Sequence, residues 1–101
     1  MHPAFVVGLA LCAFAAGARA EPGMPAVAAP CLSCHSADGR PVLPDVPIIA
    51  GQQSAYLVSA LRSYRVSGSR SGGQALVMQQ FVKDLSDSDI LQLARWFGDS
   101  Q

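Results

Sequence analysis

The sequence has few charged residues, few histidines and few cysteines, and each scarcity weakens the case for a class of function. Charged residues make up 14% of the 101 residues, and seven basic side chains balance seven acidic ones. Nucleic-acid binding relies on an excess of positive charge, so this balance gives it no support. Alternating strand patterns and internal repeats are also missing, and the chain therefore does not read as a sheet-built fold.

The segment Cys31-Leu32-Ser33-Cys34-His35 places two thiols three positions apart, with a histidine directly after the second. This spacing is the attachment signature of c-type haem. Residues three apart on a helical turn share a face. Cys31 and Cys34 can therefore reach the two vinyl groups on one edge of a porphyrin, while His35 can bind the iron. The pattern predicts one covalent haem c, with these three residues as cofactor-binding residues.

A CxxC pair also occurs in zinc sites and in redox-active dithiols, which are the main alternatives. A structural zinc site needs about four ligands, and beyond residue 20 the Cys and His candidates are Cys31, Cys34 and His35. A thioredoxin-like pair requires a βαβ setting, and no strand pattern surrounds the motif. Haem attachment is the preferred interpretation, and zinc binding, a disulfide and a chance match remain as alternatives.

Residues 1–20 have features of a secretory signal peptide. Residues 4–16 form an apolar run that is too short for a comfortable membrane span. Residues 18–20, Ala-Arg-Ala, fit a small-x-small cleavage site. The first residues lack Lys and Arg, and an uncleaved anchor is the alternative. Because c-type haem is attached outside the cytoplasm in bacteria, signal and motif together predict a periplasmic protein.

The size of the exported chain predicts one small domain. Removal of residues 1–20 from 101 leaves 81 residues. We expect a loose lead-in at 21–30 and a single domain at 31–98. Chains this short often need a staple, which a covalent haem provides. Loss of Arg19 leaves six basic groups against seven acidic ones, so the exported chain is close to neutral.

Glycine, proline and apolar periodicity divide the rest of the chain into helices and loops. Residues 36–47 predict an extended loop, residues 54–66 a helix, and residues 67–74 a flexible connector. Ser86 resembles the N-cap of a last helix that ends at Gly98. The residues expected to face the core from these two helices are Leu57, Leu61, Tyr64, Ile90, Leu93, Ala94 and Phe97. The predicted fold class is all-α, with about three to five short helices around one haem.

Met78 is the predicted second axial ligand of the iron. His2 leaves with the signal peptide, which excludes a second histidine ligand from the exported chain. Met24 lies seven residues before Cys31, too near to reach the far face of the haem, whereas Met78 lies 43 residues after His35. The alternative is that Met78 fills a gap in the core. Ligation by His and Met raises the reduction potential of a haem.

Further residues between 47 and 97 match a known family. They are Pro47-Ile48-Ile49-Ala50-Gly51-Gln52, Tyr56-Leu57, Leu61, Tyr64-Arg65, Gly68, Arg70, Met78, Leu85-Ser86, Asp89-Ile90, Leu93-Ala94 and Trp96-Phe97. With the haem motif, they resemble the class I monohaem cytochromes c. The resemblance is strongest to small periplasmic bacterial members and to one half of the dihaem cytochrome c4 type.

This resemblance implies a role for Pro47, whose carbonyl would accept a hydrogen bond from the ring of His35. It also implies that the last helix crosses the segment bearing Cys31 through Phe97 or Trp96. The family usually has glycine directly after the haem histidine, where this chain has Ser36.

The function implied is that of a periplasmic one-electron carrier that works with redox partner proteins and is not an enzyme. The first alternative is a haem subunit that accepts electrons within a larger periplasmic oxidoreductase. The second is a ligand-binding or peroxidase-like protein, which requires that Met78 does not bind the iron.

Overall fold

The structure is a computed structural model that describes residues 2–4, 8, 23–66 and 68–99. The predicted signal peptide lies outside the described residues, apart from residues 2–4 and 8, and so do residues 21–22 of the predicted lead-in. In the described part of the chain every regular element is a helix, and the all-α prediction is confirmed. No helix among these residues is long and apolar enough to cross a membrane.

Five helical segments follow one another within residues 23–66 and 68–99. A 3₁₀ helix, Ala26–Cys31, runs directly into the single turn of α1, Leu32–His35. Helix α2 is Ser54–Arg65, helix α3 is Ala75–Val82 and helix α4 is Asp87–Gly98. Helices α2 and α4 agree closely with the helices predicted from periodicity. Helix α3 falls in a stretch whose mixed sequence shows no clear helical period.

The lead-in expected at residues 21–30 is partly ordered by packing. Ala28, in the 3₁₀ helix, has no exposed surface and lies in the core with Leu57, Leu93 and Phe97. The Ala- and Pro-rich sequence has no polar–apolar period that would indicate a helix, so its local pattern predicts a loop. Contact between this segment and α4 supplies the order that local propensity does not.

Helix α4 begins with the cap that the sequence predicts. The Asp89 amide donates to Ser86 Oγ at 3.0 Å, and the Ser86 amide donates to the Asp89 carboxylate at 3.1 Å. This reciprocal pair satisfies two backbone donors that a helix start leaves open. The apolar face of the helix then packs Ile90, Leu93 and Phe97 into the core.

Arg65 links the end of α2 to the start of α4 through an ion pair and a hydrogen bond. Arg65 Nη2 lies 2.7 Å from Asp87 Oδ1, and Arg65 Nη1 donates to the Leu85 carbonyl at 3.0 Å. The hydrogen bond from Arg65, and then its charge, hold the pKa of the Asp87 carboxyl below its ordinary value. The carboxylate is exposed, so water screens much of this attraction.

Two glycines allow the chain between α1 and α2 to pack closely. Gly39 has φ +71°, and a Cβ there would lie 2.9 Å from the Ala50 nitrogen. The Gly39 carbonyl accepts from the amides of Ile49 and Ala50 at 3.0 and 3.2 Å. At the end of α4, a Cβ on Gly98 would lie 2.9 Å from the Gln52 carbonyl oxygen. Both glycines are required because another backbone segment occupies the space of a side chain.

Candidate haem-binding site

The cysteine motif lies on one helical turn at the wall of a cavity. Cys31 is the N-cap of α1, and Cys34 and His35 belong to its single turn. All three side chains line the same cavity, which has a volume of about 630 Å³. Both thiols are free and partly exposed, and burial raises the pKa of the Cys31 thiol. The turn therefore presents both sulfurs and the imidazole to one space, as the sequence predicts.

The ring of His35 is fixed by the carbonyl that the sequence resemblance indicates. His35 is 5% exposed, and its Nδ1 lies 3.1 Å from the Pro47 oxygen. A carbonyl can only accept, so Nδ1 carries the proton and Nε2 is left with a lone pair for a metal. Burial lowers the pKa of His35, and the hydrogen bond to Pro47 opposes that shift. Burial therefore favours the neutral imidazole, the form that binds a metal.

The residue after His35 has an unusual backbone conformation. Ser36 has φ 66° and ψ 161°, in a region that residues other than glycine rarely adopt. Its amide donates to the Leu32 carbonyl at 3.0 Å, and its carbonyl accepts from the Gly39 amide at 3.1 Å. These two bonds turn the chain sharply after the histidine. The serine therefore takes a glycine-like conformation at the position where the resembled family usually has glycine.

The cavity wall is mainly apolar, and several of its large side chains are exposed to it. Ile48, Tyr56 and Phe81 are 51%, 52% and 47% exposed, and all three line the cavity. Exposed apolar groups gathered on one concave wall indicate a site for an apolar ligand. A cavity with this lining, two thiols and a neutral imidazole fits a haem.

The structure separates the two methionines that follow the predicted signal peptide. Met78, on α3, is half-buried and lines the same cavity as His35. Met24 packs against the hydrophobic core that includes Ala28 and Phe97. It is not among the residues that line the cavity. Of the two thioethers, that of Met78 is the one placed for a ligand in this space.

Two tyrosines and an arginine belong to the cavity, although the apolar periodicity of the sequence predicts that Tyr64 faces the core. Tyr56 and Tyr64 both line the cavity wall. The Arg70 guanidinium lies 4.6 Å from the Tyr64 ring centroid, and Arg70 Nε donates to Ser63 Oγ at 3.1 Å. Core positions and cavity-wall positions have the same types of side chain at the same helical spacing, so the sequence alone does not distinguish them.

A hydrogen bond between two polar residues of the cavity wall has no signal in the sequence. Gln74 Nε2 donates to Asp45 Oδ2 at 2.9 Å, and both residues line the cavity. They are 29 positions apart, in two segments that periodicity assigns to loops.

The described residues offer no alternative metal centre. No group of three or more His, Cys, Asp or Glu side chains within residues 2–4, 8, 23–66 and 68–99 could hold a metal ion. The zinc interpretation of the cysteine pair therefore finds no further ligands in this part of the chain.

Comparison with known proteins gives a consistent result. Residues 20–98 match the model of the family described as Cytochrome c. Cytochrome c-554(548) of Halomonas halodenitrificans is 37% identical over 71 residues, which cover 70% of this chain and 84% of that protein. Cytochrome c4 of Azotobacter vinelandii is 34% identical over 98 residues, which cover 90% of this chain and 45% of that protein.

A third relative is named for its partner. The thiosulfate dehydrogenase electron acceptor of Thiomonas intermedia is 29% identical over 76 residues, which cover 75% of this chain and 33% of that protein. The chain therefore spans most of one relative and less than half of the other two.

Proposed function

Because the chain belongs to the cytochrome c family, we propose that it is a periplasmic one-electron carrier whose iron is bound by His35 and Met78. Haem c is the covalent cofactor of this family, and Cys31 and Cys34 are the pair that binds it in this chain. When bound, the haem supplies an iron that alternates between ferric and ferrous states. Electron transfer through haem c is common to the family, whereas the compartment and the axial pair are specific to this proposal.

The observation that carries the proposal is the placement of His35 and Met78 on the wall of one apolar cavity. The Pro47 carbonyl holds the His35 ring at Nδ1 with a 3.1 Å bond, and this leaves Nε2 for the iron. Such a bond fixes the orientation of the ring and increases the basicity of the ligand. The thioether of Met78 is a soft ligand that favours ferrous iron.

Two side-chain ligands on the iron leave no position for a substrate, and this supports a carrier over an enzyme. Cys31 and Cys34 are partly exposed, so the haem edge bound to them would lie near the surface. Partners would dock there through a small, transient interface. Because the charges nearly balance, we expect docking to depend only mildly on salt.

Export is supported by the signal-peptide features of residues 1–20 and by the haem chemistry of the chain. A mass measurement on protein made in bacteria with the haem-attachment machinery tests both points. The expected mass is that of the chain from Glu21 plus one haem. A colourless product would contradict haem attachment, and a longer coloured product would contradict cleavage after Ala20.

A second candidate function is that of a haem subunit in a larger oxidoreductase. It is favoured by the resemblance to a relative named as the electron acceptor of thiosulfate dehydrogenase. Purification from the native cell separates the two candidates. A carrier elutes as a free small protein, whereas a subunit elutes with a catalytic partner.

The axial pair is tested by the ferric absorption spectrum. The weak band of a methionine–iron bond near the red end should be present in the wild type and in Met24→Ala. It should be absent in Met78→Ala, which should then bind carbon monoxide in the ferrous state. A wild-type protein that lacks the band and binds carbon monoxide readily would contradict the carrier function.

A further inference from the structure

Three hydrogen bonds and a short stretch of backbone link the Met78 amide to the His35 ring along the cavity wall. The Met78 amide donates to the Gln74 carbonyl at 3.0 Å, and Gln74 Nε2 donates to Asp45 Oδ2 at 2.9 Å. Asp45 precedes Pro47 by two residues, and the Pro47 carbonyl accepts from His35 Nδ1 at 3.1 Å. We call the side-chain pair Asp45–Gln74 the strap, because it joins the segment that carries Met78 to the loop that orients His35.

The first turn of α3 has few other anchors. Ala75 is the buried residue of this turn, whereas Leu76 is 74% exposed, and Val77 and Met78 line the cavity. Gln74 is the N-cap of α3, and its side chain accepts no hydrogen bond from the turn it begins. That side chain instead donates to Asp45, in the loop that precedes Pro47. Because this turn buries little apolar surface apart from Ala75 and its cavity-facing side, a single polar contact can have a measurable effect on its position.

The segment that leads into α3 has little steric restraint at two glycines. Gly72 and Gly73 both have positive φ, at 85° and 48°, and a Cβ on either would meet no atom within 4 Å. Two glycines in open space form a hinge with little steric restraint. The backbone before this turn therefore adds little steric resistance to a displacement of Met78.

We propose that Asp45 and Gln74 are positioning residues that hold Met78 on the iron by tying the first turn of α3 to the loop that orients His35. This inference rests on the proposed His/Met ligation. The strap acts on the position of Met78 and touches neither the iron nor the sulfur. Without it, the ferric iron exchanges Met78 for an external ligand more readily. The ferrous iron is less affected, because it binds a thioether more strongly.

The experiment is an imidazole titration of the ferric holoprotein, followed by loss of the methionine–iron band. Gln74→Glu has nearly the same size but loses the Nε2 donor and places two carboxylates together. A net hydrogen bond corresponds to about a 2- to 10-fold change in an equilibrium constant. We expect Gln74→Glu to bind imidazole tighter than wild type by about that factor.

A reversed pair provides the rescue. In Gln74→Glu/Asp45→Asn the Asn amide can donate to the Glu carboxylate, so donor and acceptor exchange places. Its imidazole affinity should return toward the wild-type value, which a merely destabilising change would not do. Gln80→Glu is the matched control. Gln80 is an exposed residue of α3, and this substitution should leave imidazole affinity unchanged.

The outcomes separate this inference from the proposed function. If the wild-type ferric protein lacks the methionine–iron band, the His/Met ligation fails and the strap inference fails with it. If the band is present and Gln74→Glu binds imidazole as the wild type does, the strap inference alone is overturned. It is also overturned if Gln80→Glu changes imidazole affinity as much as Gln74→Glu does, or if the reversed pair restores nothing.

Discussion

Replacement of Ser36 by glycine should stabilise the protein, because Ser36 is held in a conformation suited to glycine. Its φ of 66° and ψ of 161° lie in a region where a residue with a Cβ is strained by about 1–3 kcal/mol. Glycine relieves that strain but gives the unfolded chain extra freedom, at a cost of about 0.4–1 kcal/mol. We expect a net gain of about 0.5–2 kcal/mol in the free energy of unfolding.

The comparison that isolates the Cβ is Ser36→Gly against Ser36→Ala. Both variants lack the hydroxyl, whose oxygen has no hydrogen-bond partner among the described residues, and they differ in the Cβ alone. Ser36→Ala keeps the strain and should remain within about 0.5 kcal/mol of the wild type. Guanidinium chloride unfolding of the ferric holoprotein gives the three free energies, with the slope m expected to be unchanged.

Backbone strain at Ser36 is excluded if the glycine variant is no more stable than the alanine variant. Thermal unfolding provides an independent check, since about 1 kcal/mol moves the midpoint by about 4–8 °C in a domain of this size. The ferric spectrum should be unaltered in both variants. A change in the methionine–iron band would mean that the substitution acts through the haem ligands and not through the backbone.

Substitutions at three further positions test the packing of α4, its N-cap and its ion pair with Arg65. Gly98→Ala should destabilise the protein by about 1–3 kcal/mol in denaturant unfolding. The new Cβ would lie 2.8 Å from Ser54 Oγ and 2.9 Å from the Gln52 oxygen. An unchanged unfolding midpoint would contradict that contact. Ser86→Ala should lower the free energy of unfolding by about 1 kcal/mol, because the N-cap is lost, whereas Ser86→Asp should stay close to the wild type. Equal losses of stability in the two variants would argue against capping. Arg65 lowers the pKa of Asp87 below the ordinary 3.8, so this stabilisation is present above that value and lost as pH falls through the lower pKa. Unfolding midpoints in the acid range should fall less steeply for Asp87→Asn than for wild type, and parallel curves would exclude the linkage.

The parts of the fold that the sequence predicts are those with local signals. Helix α2 begins at Ser54 and has a clear apolar stripe, and α4 begins with the cap at Ser86. The cysteine motif defines its own chemistry through spacing. In each case the residues that decide the structure lie within a few positions of one another.

The parts that the sequence does not predict depend on distant contacts. The order of Ala28 comes from its packing against α4, and the Asp45–Gln74 bond joins positions far apart in the chain. Tyr56 occupies a helical position that fits a core as well as it fits a cavity wall. The strain at Ser36 depends on two backbone bonds that no local pattern records.

The backbone that follows Pro47 is held by hydrogen bonds to Gly39 and to Phe97, and its rigidity affects the rate of electron exchange. The Gly39 carbonyl binds the amides of Ile49 and Ala50, and the Gly51 amide donates to the Phe97 carbonyl at 2.9 Å. The oxygen that orients His35 therefore belongs to a segment with little freedom to shift. Because the His35 ring is already held in place, this ligand rearranges little when the iron gains or loses an electron. The reorganisation that accompanies each electron transfer should therefore occur mainly in the surrounding water.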